Sequence, residues 1–215
     1  SVTGCLATAL AQIINYHKCP AGPGTGSHSY EWNGQTLSFD YGATTFDWAH
    51  IRDTYPYYGT TNEERQAVAN LMLACGIGVN MNYSSSASGA SDIYVCGLLT
   101  NHLGYDKSAG YLVRDYFSAD DWDAIVSGEL AAGRHVLSIA GQQAAPGTHL
   151  SATAIAQTDT ITSTGAGTAC LTASSYSLSS TPTTRAQVVR ATARDSISTR
   201  ASPSAYAPRQ APKPT

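Results

Sequence analysis

From residue 5 to residue 19 the apolar positions recur with a helical period. Leu6, Ala9, Leu10, Ile13, Ile14 and His17 fall on one face, and Pro20 ends the run. Residues 27–46 then place Tyr30, Trp32, Leu37, Phe39, Tyr41 and Phe46 between turn residues, and the pair Asn33-Gly34 predicts a hairpin. Trp48 and Ile51 open a short amphipathic segment that stops near Pro56. Asn62 is placed to cap a helix with Glu63 and Glu64 in its first turn, ending at Gly76 or Gly78. Ser84–Ser91 predicts a flexible polar loop. Ser91 can cap a helix carrying Ile93, Val95, Leu98, Leu99 and His102. Ser118-Ala-Asp-Asp121 is a variant capping box before Trp122, Ile125, Val126 and Leu130, and Gly133 ends that helix. His135–Ala140 predicts a short buried strand. Helices early and strands late give an α+β arrangement.

Composition narrows the partners. A chain of 215 residues can bury one substantial core, in one domain or two fused lobes. A net charge of −3 with 13% charged residues gives no clustered basic footprint, so nucleic acid is not an expected partner. No apolar run reaches the roughly 20 residues of a membrane span. Low charge and abundant Tyr, Ser, Thr and Gly fit a secreted protein. The chain begins without Met close before Cys5 and reads as a fragment, so a missing signal peptide carries no weight. The cysteines, Cys5, Cys19, Cys75, Cys96 and Cys170, form no C-x-x-C pair, and no histidine stands at ligand spacing from them. Zinc, and cofactors in general, are not expected. A disulfide framework is not indicated. Cys75 shares an apolar helix face with Val68, Leu71 and Met72 and reads as core, while Cys19 and Cys96 fit either core or partly exposed thiols.

Cys5 stands apart from these. It follows Thr3-Gly4 at the head of a largely buried helix, where unpaired backbone N–H groups and the positive end of the macrodipole favour an anion. The thiolate is the nucleophile of cysteine hydrolases, and a helix N-terminus with a basic neighbour is a setting in which thiolates form. The plainer alternative is a small core residue, the usual place of a lone helical cysteine. Among the histidines, His17 near the helix C-terminus complements the dipole, His28, His50 and His102 read as surface or capping residues, and His135 opens a strand.

The string T-G-C-L-A-T-A-L-A-Q-I-I-N-Y-H-K-C-P at 3–20 resembles the nucleophile helix of the streptopain family, secreted bacterial papain-like cysteine peptidases. The likeness continues through G-S-H-S-Y at 26–30, T-T-F-D-W at 44–48, and the helix from Gln66 to Gly76 with its G-I-G-V-N-M-N-Y ending. It runs on through S-S-S-A-S-G-A-S, L-G-Y-D at 103–106, F-S-A-D-D-W and E-L-A-A-G-R-H-V, covering about residues 1–140. The resemblance implies a papain-like α+β fold, Cys5 as nucleophile, a histidine base and hydrolysis of peptide bonds in proteins or peptides. It also implies an upstream pro-segment in a zymogen and no cofactor.

The base is where the pattern departs. The family carries a G-G-H-A-F-V-x-D-G-like strand and a later N-W-G-W-G-G segment. Here G-T-H-L-S-A-T-A at 147–154 offers His149, without the apolar strand and D-G that should follow. Beyond residue 150 Ser, Thr and Ala make up more than half the chain and no Trp or Phe occurs. The Pro-rich end reads as disordered.

The degenerate codons of this tail, read from each third base, tell more. Pro146–Ile155 permits Gly-His-Ala-Phe-Val-Cys-Asp-Gly-Tyr, with the histidine across Gly147 and Thr148. Thr160–Gly167 permits Tyr-His-Phe-Asn-Trp-Gly-Trp, and Leu171–Ser177 permits Asp-Gly-Phe-Phe-Leu-Leu. Three family-like motifs in order and in one shared frame predict a frameshift between about Gly141 and Pro146. The expected organisation is a partial peptidase domain at 1–145 and an out-of-frame, largely non-native tail at 146–215. The catalytic candidates are Cys5 and His149. A catalytically dead fragment is the alternative outcome, and a transferase or amidase using the same Cys-His chemistry is a third.

Overall fold

The helix predicted at the start of the chain, α1, runs Cys5–His17 and buries Leu6, Ala7, Ala9, Leu10, Ala11, Ile13 and Ile14. That surface is wider than one amphipathic stripe, and a helix apolar on most sides is a core element. Lys18 ends it in the left-handed region (φ 48°), its N–H bonded to the Asn15 carbonyl. A computed structural model of the protein describes residues 2–56, 58–142, 150–155, 160–161 and 184–190, and from residue 140 onward the backbone alone.

Strands β1 (Ser27–Trp32) and β2 (Gln35–Asp40) form the predicted hairpin, with Trp32 opposite Gln35. Asn33 (φ 48°) and Gly34 (φ 72°) make the two-residue turn, since positive φ at both central positions matches the strand twist. Alternate residues of a strand share a side, and β1 uses this to grip three consecutive residues. His28 Nε2 lies 2.6 Å from Asn80 Oδ1, the Tyr30 hydroxyl donates to the Met81 carbonyl at 2.6 Å, and Trp32 Nε1 donates to Asn82 Oδ1 at 3.2 Å. Burial pushes the Tyr30 phenol up to about 12, which keeps it a donor.

Helix α2 spans Asn62–Gly78, and its cap is Thr61, not Asn62. Thr61 Oγ1 accepts from Glu64 N while Glu64 Oε2 accepts from Thr61 N, a reciprocal box that Asn62, with Arg65 at the matching position, cannot make. Cys75 is fully buried, as its apolar face predicts. At Gly78 an added Cβ would collide with Leu98 Cδ1 and fall 2.7 Å from the Tyr41 hydroxyl, so these side chains pack directly on the helix backbone because the residue is glycine.

The single helix expected after Ser91 is instead a composite. A 3-10 turn Asp92–Tyr94 leads into a short α segment, α3 (Val95–Gly97), and a π turn Leu98–His102. Ser91 makes no side-chain cap, and Thr100 Oγ1 donates back to the Cys96 carbonyl at 2.8 Å, a bond that perturbs regular helix. Helix α4 (Ala119–Ala131) has Ser118 Oγ accepting from Asp121 N. Just beyond it Arg134 forks onto the buried Glu129 carboxylate at 2.6 and 3.1 Å.

The described strands β3 (Gly110–Val113), β4 (Val136–Gln142), β5 (Leu150–Ile155), β6 (Thr160–Ile161) and β7 (Thr184–Arg190) join in the order β3-β7-β4-β5-β6, every pair antiparallel. Within 146–215 the described residues are therefore strands β5, β6 and β7; the rest of that expected tail lies outside the described residues. Helix α1 packs between α2 and the β4–β5 side of this sheet. The main core gathers α1, α2, Phe39 of β2, Tyr41 and Phe46 just beyond it, and Leu137 and Ile139, and a smaller cluster joins Trp122, Val126 and Val136. Among the described residues no helix is long and apolar enough to cross a membrane.

Candidate active site

Cys5 is the first residue of α1, half-buried, where the sequence pattern puts it. Its predecessor Gly4 is the N-cap in extended geometry (φ −75°, ψ 154°) and has no side chain to satisfy the first-turn amides. The Gly4 carbonyl accepts from Thr8 N at 3.1 Å and from Thr8 Oγ1 at 3.2 Å, which starts the helix. The first-turn amides of a helix carry the positive end of its dipole, a setting that suits an anion or a developing oxyanion. Gly4 is also hemmed in. A Cβ there would meet Met81 Sδ at 2.6 Å and the Ser88 carbonyl oxygen at 2.8 Å.

The other described thiols are shaped by burial. Cys75 is fully buried, and burial raises its pKa and those of Cys19 and Cys96. Cys19 Sγ donates to the Leu103 carbonyl at 3.2 Å. These thiols stay protonated and serve packing. The four described cysteines form no disulfide, and no group of three metal-ligating side chains is present among the described residues.

Five of the six histidines are described. His17 lies twelve residues after Cys5 on the same helix, about 18 Å along its axis, beyond reach of the thiol. Its Nδ1 hydrogen-bonds the Tyr105 hydroxyl at 2.9 Å, so it has a tertiary partner besides the helix dipole. His135 is buried just before β4, with ring centroids 4.0 Å from Tyr16 and 4.9 Å from His17, at the far end of α1. Burial lowers its pKa, and neither ring nitrogen has a partner among the described residues. His28 is paired with Asn80, His50 Nδ1 with Asp47 at 2.6 Å, and His102 Nδ1 with the Thr25 carbonyl at 2.8 Å. His149, the base candidate, lies outside the described residues.

Two features escaped the sequence reading. Gln12 lies seven residues after Cys5, hence on the same stripe of α1, and its Oε1 is buried with no partner among the described residues. The serine-rich stretch after Tyr83 is not a loose loop but a hydrogen-bonded turn against the segment that leads into Cys5. The spacing from Cys5 would have revealed the first. The second depends on contacts between residues more than eighty positions apart, which local pattern does not carry.

A cysteine at the head of a core helix, with an antiparallel sheet packed against that helix, is the architecture of papain-like cysteine peptidases. The chain belongs to the peptidase C10 family, whose sequence model matches residues 1–158. Streptopain of Streptococcus pyogenes is 31% identical over 144 residues, covering 63% of this chain and 36% of that protein. The thiol protease/hemagglutinin PrtT of Porphyromonas gingivalis is 29% identical over 137 residues, covering 62% of this chain and 16% of that protein. Among solved structures, active wild-type interpain A cysteine protease of Prevotella intermedia superposes with a TM-score of 0.64 at 34% identity, covering 71% of this chain and 64% of the other. A prointerpain A fragment from the same organism superposes with a TM-score of 0.71 at 29% identity, covering 90% and 64%. The chain spans about a third of the streptopain length.

Proposed function

We propose that Cys5 is the nucleophile of a secreted cysteine endopeptidase, and the observation that carries this is its place as first residue of the core helix α1 in a chain of the peptidase C10 family. The thiolate attacks the scissile carbonyl, the first-turn amides of α1 face the oxyanion, and a histidine gives its proton to the leaving amine. The acyl-thioester is then hydrolysed by water. Substrates are proteins or peptides, and the precursor carries an upstream pro-segment, a reading supported by the pro-form among the solved relatives. His149 is the histidine left to act as base, since the five described ones are committed elsewhere or out of reach.

A second reading is favoured by the buried polar atoms without described partners, Gln12 Oε1 and both His135 nitrogens. An out-of-frame tail that lacks the donors and acceptors of the native one would leave such atoms unpaired. On this reading residues 1–145 are peptidase and 146–215 are a shifted translation. Sequencing the coding DNA in independent clones decides it.

A thiol-directed probe tests the first reading. Cys5 is expected to label rapidly near neutral pH, with labelling lost in Cys5→Ala. Labelling no faster than at Cys19 or Cys96 refutes the nucleophile assignment. If His149→Ala leaves any peptide hydrolysis unchanged, His149 is not the base. A robust His149-dependent activity overturns the out-of-frame reading's expectation of a dead enzyme.

A further inference from the structure

The segment entering Cys5 does not stand free. Val2 N donates to the Ser84 carbonyl at 3.0 Å, and Ser88 Oγ donates to the Val2 carbonyl at 2.5 Å, so Val2 is held through both its backbone groups. The turn that grips it is itself braced. Ser88 Oγ accepts from Ser84 N at 3.1 Å, and Ser84 Oγ accepts from Ala87 N at 2.9 Å while donating to the Ala87 carbonyl at 2.6 Å. At the base of the turn Asn82 and Gly89 exchange backbone hydrogen bonds at 2.8 and 3.2 Å. Asn82 is in turn anchored by Trp32 of the hairpin. The Ser88 carbonyl presses on Gly4, the residue before Cys5.

We propose that Ser88 is a positioning residue for Cys5. It latches Val2 so that Gly4 meets α1 at a fixed angle and the thiol sits over the first-turn amides. The inference rests on Cys5 as the nucleophile, and it gives Ser84 and Ser88 of this stretch a role. The Ser84 and Ser88 hydroxyls are short enough to bond backbone within the turn, and Ser88 reaches across to Val2 as well. In an unlatched segment Val2–Gly4 samples several orientations, and the thiol loses its fixed relation to the helix amides that favour its reactive form.

The test measures alkylation of each thiol by iodoacetamide at neutral pH, resolved by peptide mass spectrometry. Cys19 and Cys96 in the same molecule are the references. In Ser88→Ala, Cys5 is expected to react about fivefold more slowly, the equivalent of one ordinary hydrogen bond, with Cys19 and Cys96 unchanged. Ser88→Thr should restore the rate, and Ser86→Ala, in the same turn but outside the latch, should leave it unaltered. If Ser88→Ala fails to fold, Ser88→Cys keeps the side chain's shape while weakening its donation to the Val2 carbonyl, and Cys5 must slow in that variant too. A folded latch variant in which Cys5 slows by less than about twofold, or in which all thiols shift together, overturns the proposal. The variant-to-wild-type ratio reads the latch separately from the peptidase assignment, which fails instead if wild-type Cys5 reacts no faster than the reference thiols.

Discussion

Gly4→Ala is the substitution from which the site should suffer most per atom added. The glycine's own dihedrals suit any residue, so backbone strain is not the issue (φ −75°). The cost is steric. The new methyl would sit 2.6 Å from Met81 Sδ, 2.7 Å from Met81 Cε and 2.8 Å from the Ser88 carbonyl oxygen, where ordinary contact begins near 3.4 Å. The thioether end can rotate, but Met81 is fully buried and its new rotamer must find room in a packed core. The Ser88 carbonyl cannot yield without disturbing the Asn82–Gly89 bridge at 2.8 and 3.2 Å. Overpacking of this kind costs about 1–3 kcal/mol, and Gly→Ala returns only about 0.4–1 kcal/mol through the unfolded chain. A net loss of about 1.3 kcal/mol is expected, which lowers the folded-to-unfolded ratio by about tenfold.

Urea unfolding followed by tryptophan fluorescence measures this directly, and the Cys5 alkylation rate should fall in parallel. Met81→Ala in the same background clears two of the three contacts. The Gly4→Ala penalty should therefore shrink by about 1 kcal/mol in the double mutant without vanishing, because the Ser88 carbonyl remains. A Gly4→Ala protein within about 0.5 kcal/mol of wild type would show that the entry to α1 is loose, and the steric reasoning would be wrong.

Three other outcomes follow from the same kind of accounting. Thr61→Ala removes the acceptor of Glu64 N and should cost about 1 kcal/mol by denaturant titration, whereas Asn62→Ala should cost little. At the Glu129–Arg134 pair the asymmetry is the prediction. Arg134→Ala removes both hydrogen bonds from the guanidinium to the buried Glu129 carboxylate and should cost about 1.5–3 kcal/mol, while Glu129→Gln leaves a cation that can turn to water and should cost less. His135 is held neutral by burial, its pKa below the ordinary 6.5. The unfolded chain therefore takes up a proton before the folded one does. Stability should be intact above about pH 6.5, fall as pH drops from there to the folded pKa, and level off below it. A His135→Phe variant should lose that slope. If it keeps the wild-type pH profile, the burial of His135 is not the cause.

Legibility in the sequence followed the range of the interactions concerned. The hairpin turn was legible because Asn33-Gly34 is local chemistry, and φ values of 48° and 72° are what the pair predicts. The α2 cap was misplaced by one residue although the signal was present. Thr61 has Glu64 at the box position, and Asn62 has Arg65. The segment after Ser91 carries helix-spaced apolar residues, yet Thr100 bonding back to Cys96 and the mid-segment Gly97 break it into three turn types. Cys5 was legible because a helix head, a preceding glycine and a long ordered resemblance agree. Its surroundings were not, because the grip of Ser88 on Val2 spans 86 positions.

Gln12 gives the sharpest separation between a complete site and an incomplete one. Its amide oxygen is buried one heptad below the thiol, on the side of the core helix that carries Cys5, and finds no donor among the described residues. Leaving such a group unpaired costs about 1–3 kcal/mol, and replacing it with an apolar side chain of similar shape removes that cost. Gln12→Met should therefore stabilise the present chain by about 1 kcal/mol in urea unfolding. A gene carrying one inserted nucleotide between codons 141 and 146 would encode the Gly-His-Ala-Phe-Val and Asn-Trp-Gly-Trp segments in place of the present tail. If the segments of that protein supply the donor that Gln12 lacks among the described residues, the same substitution should destabilise it by a similar amount. If Gln12→Met destabilises both proteins equally, Gln12 already has its partner in the tail as it stands. The interface would then be complete, and the out-of-frame reading would lose its physical support.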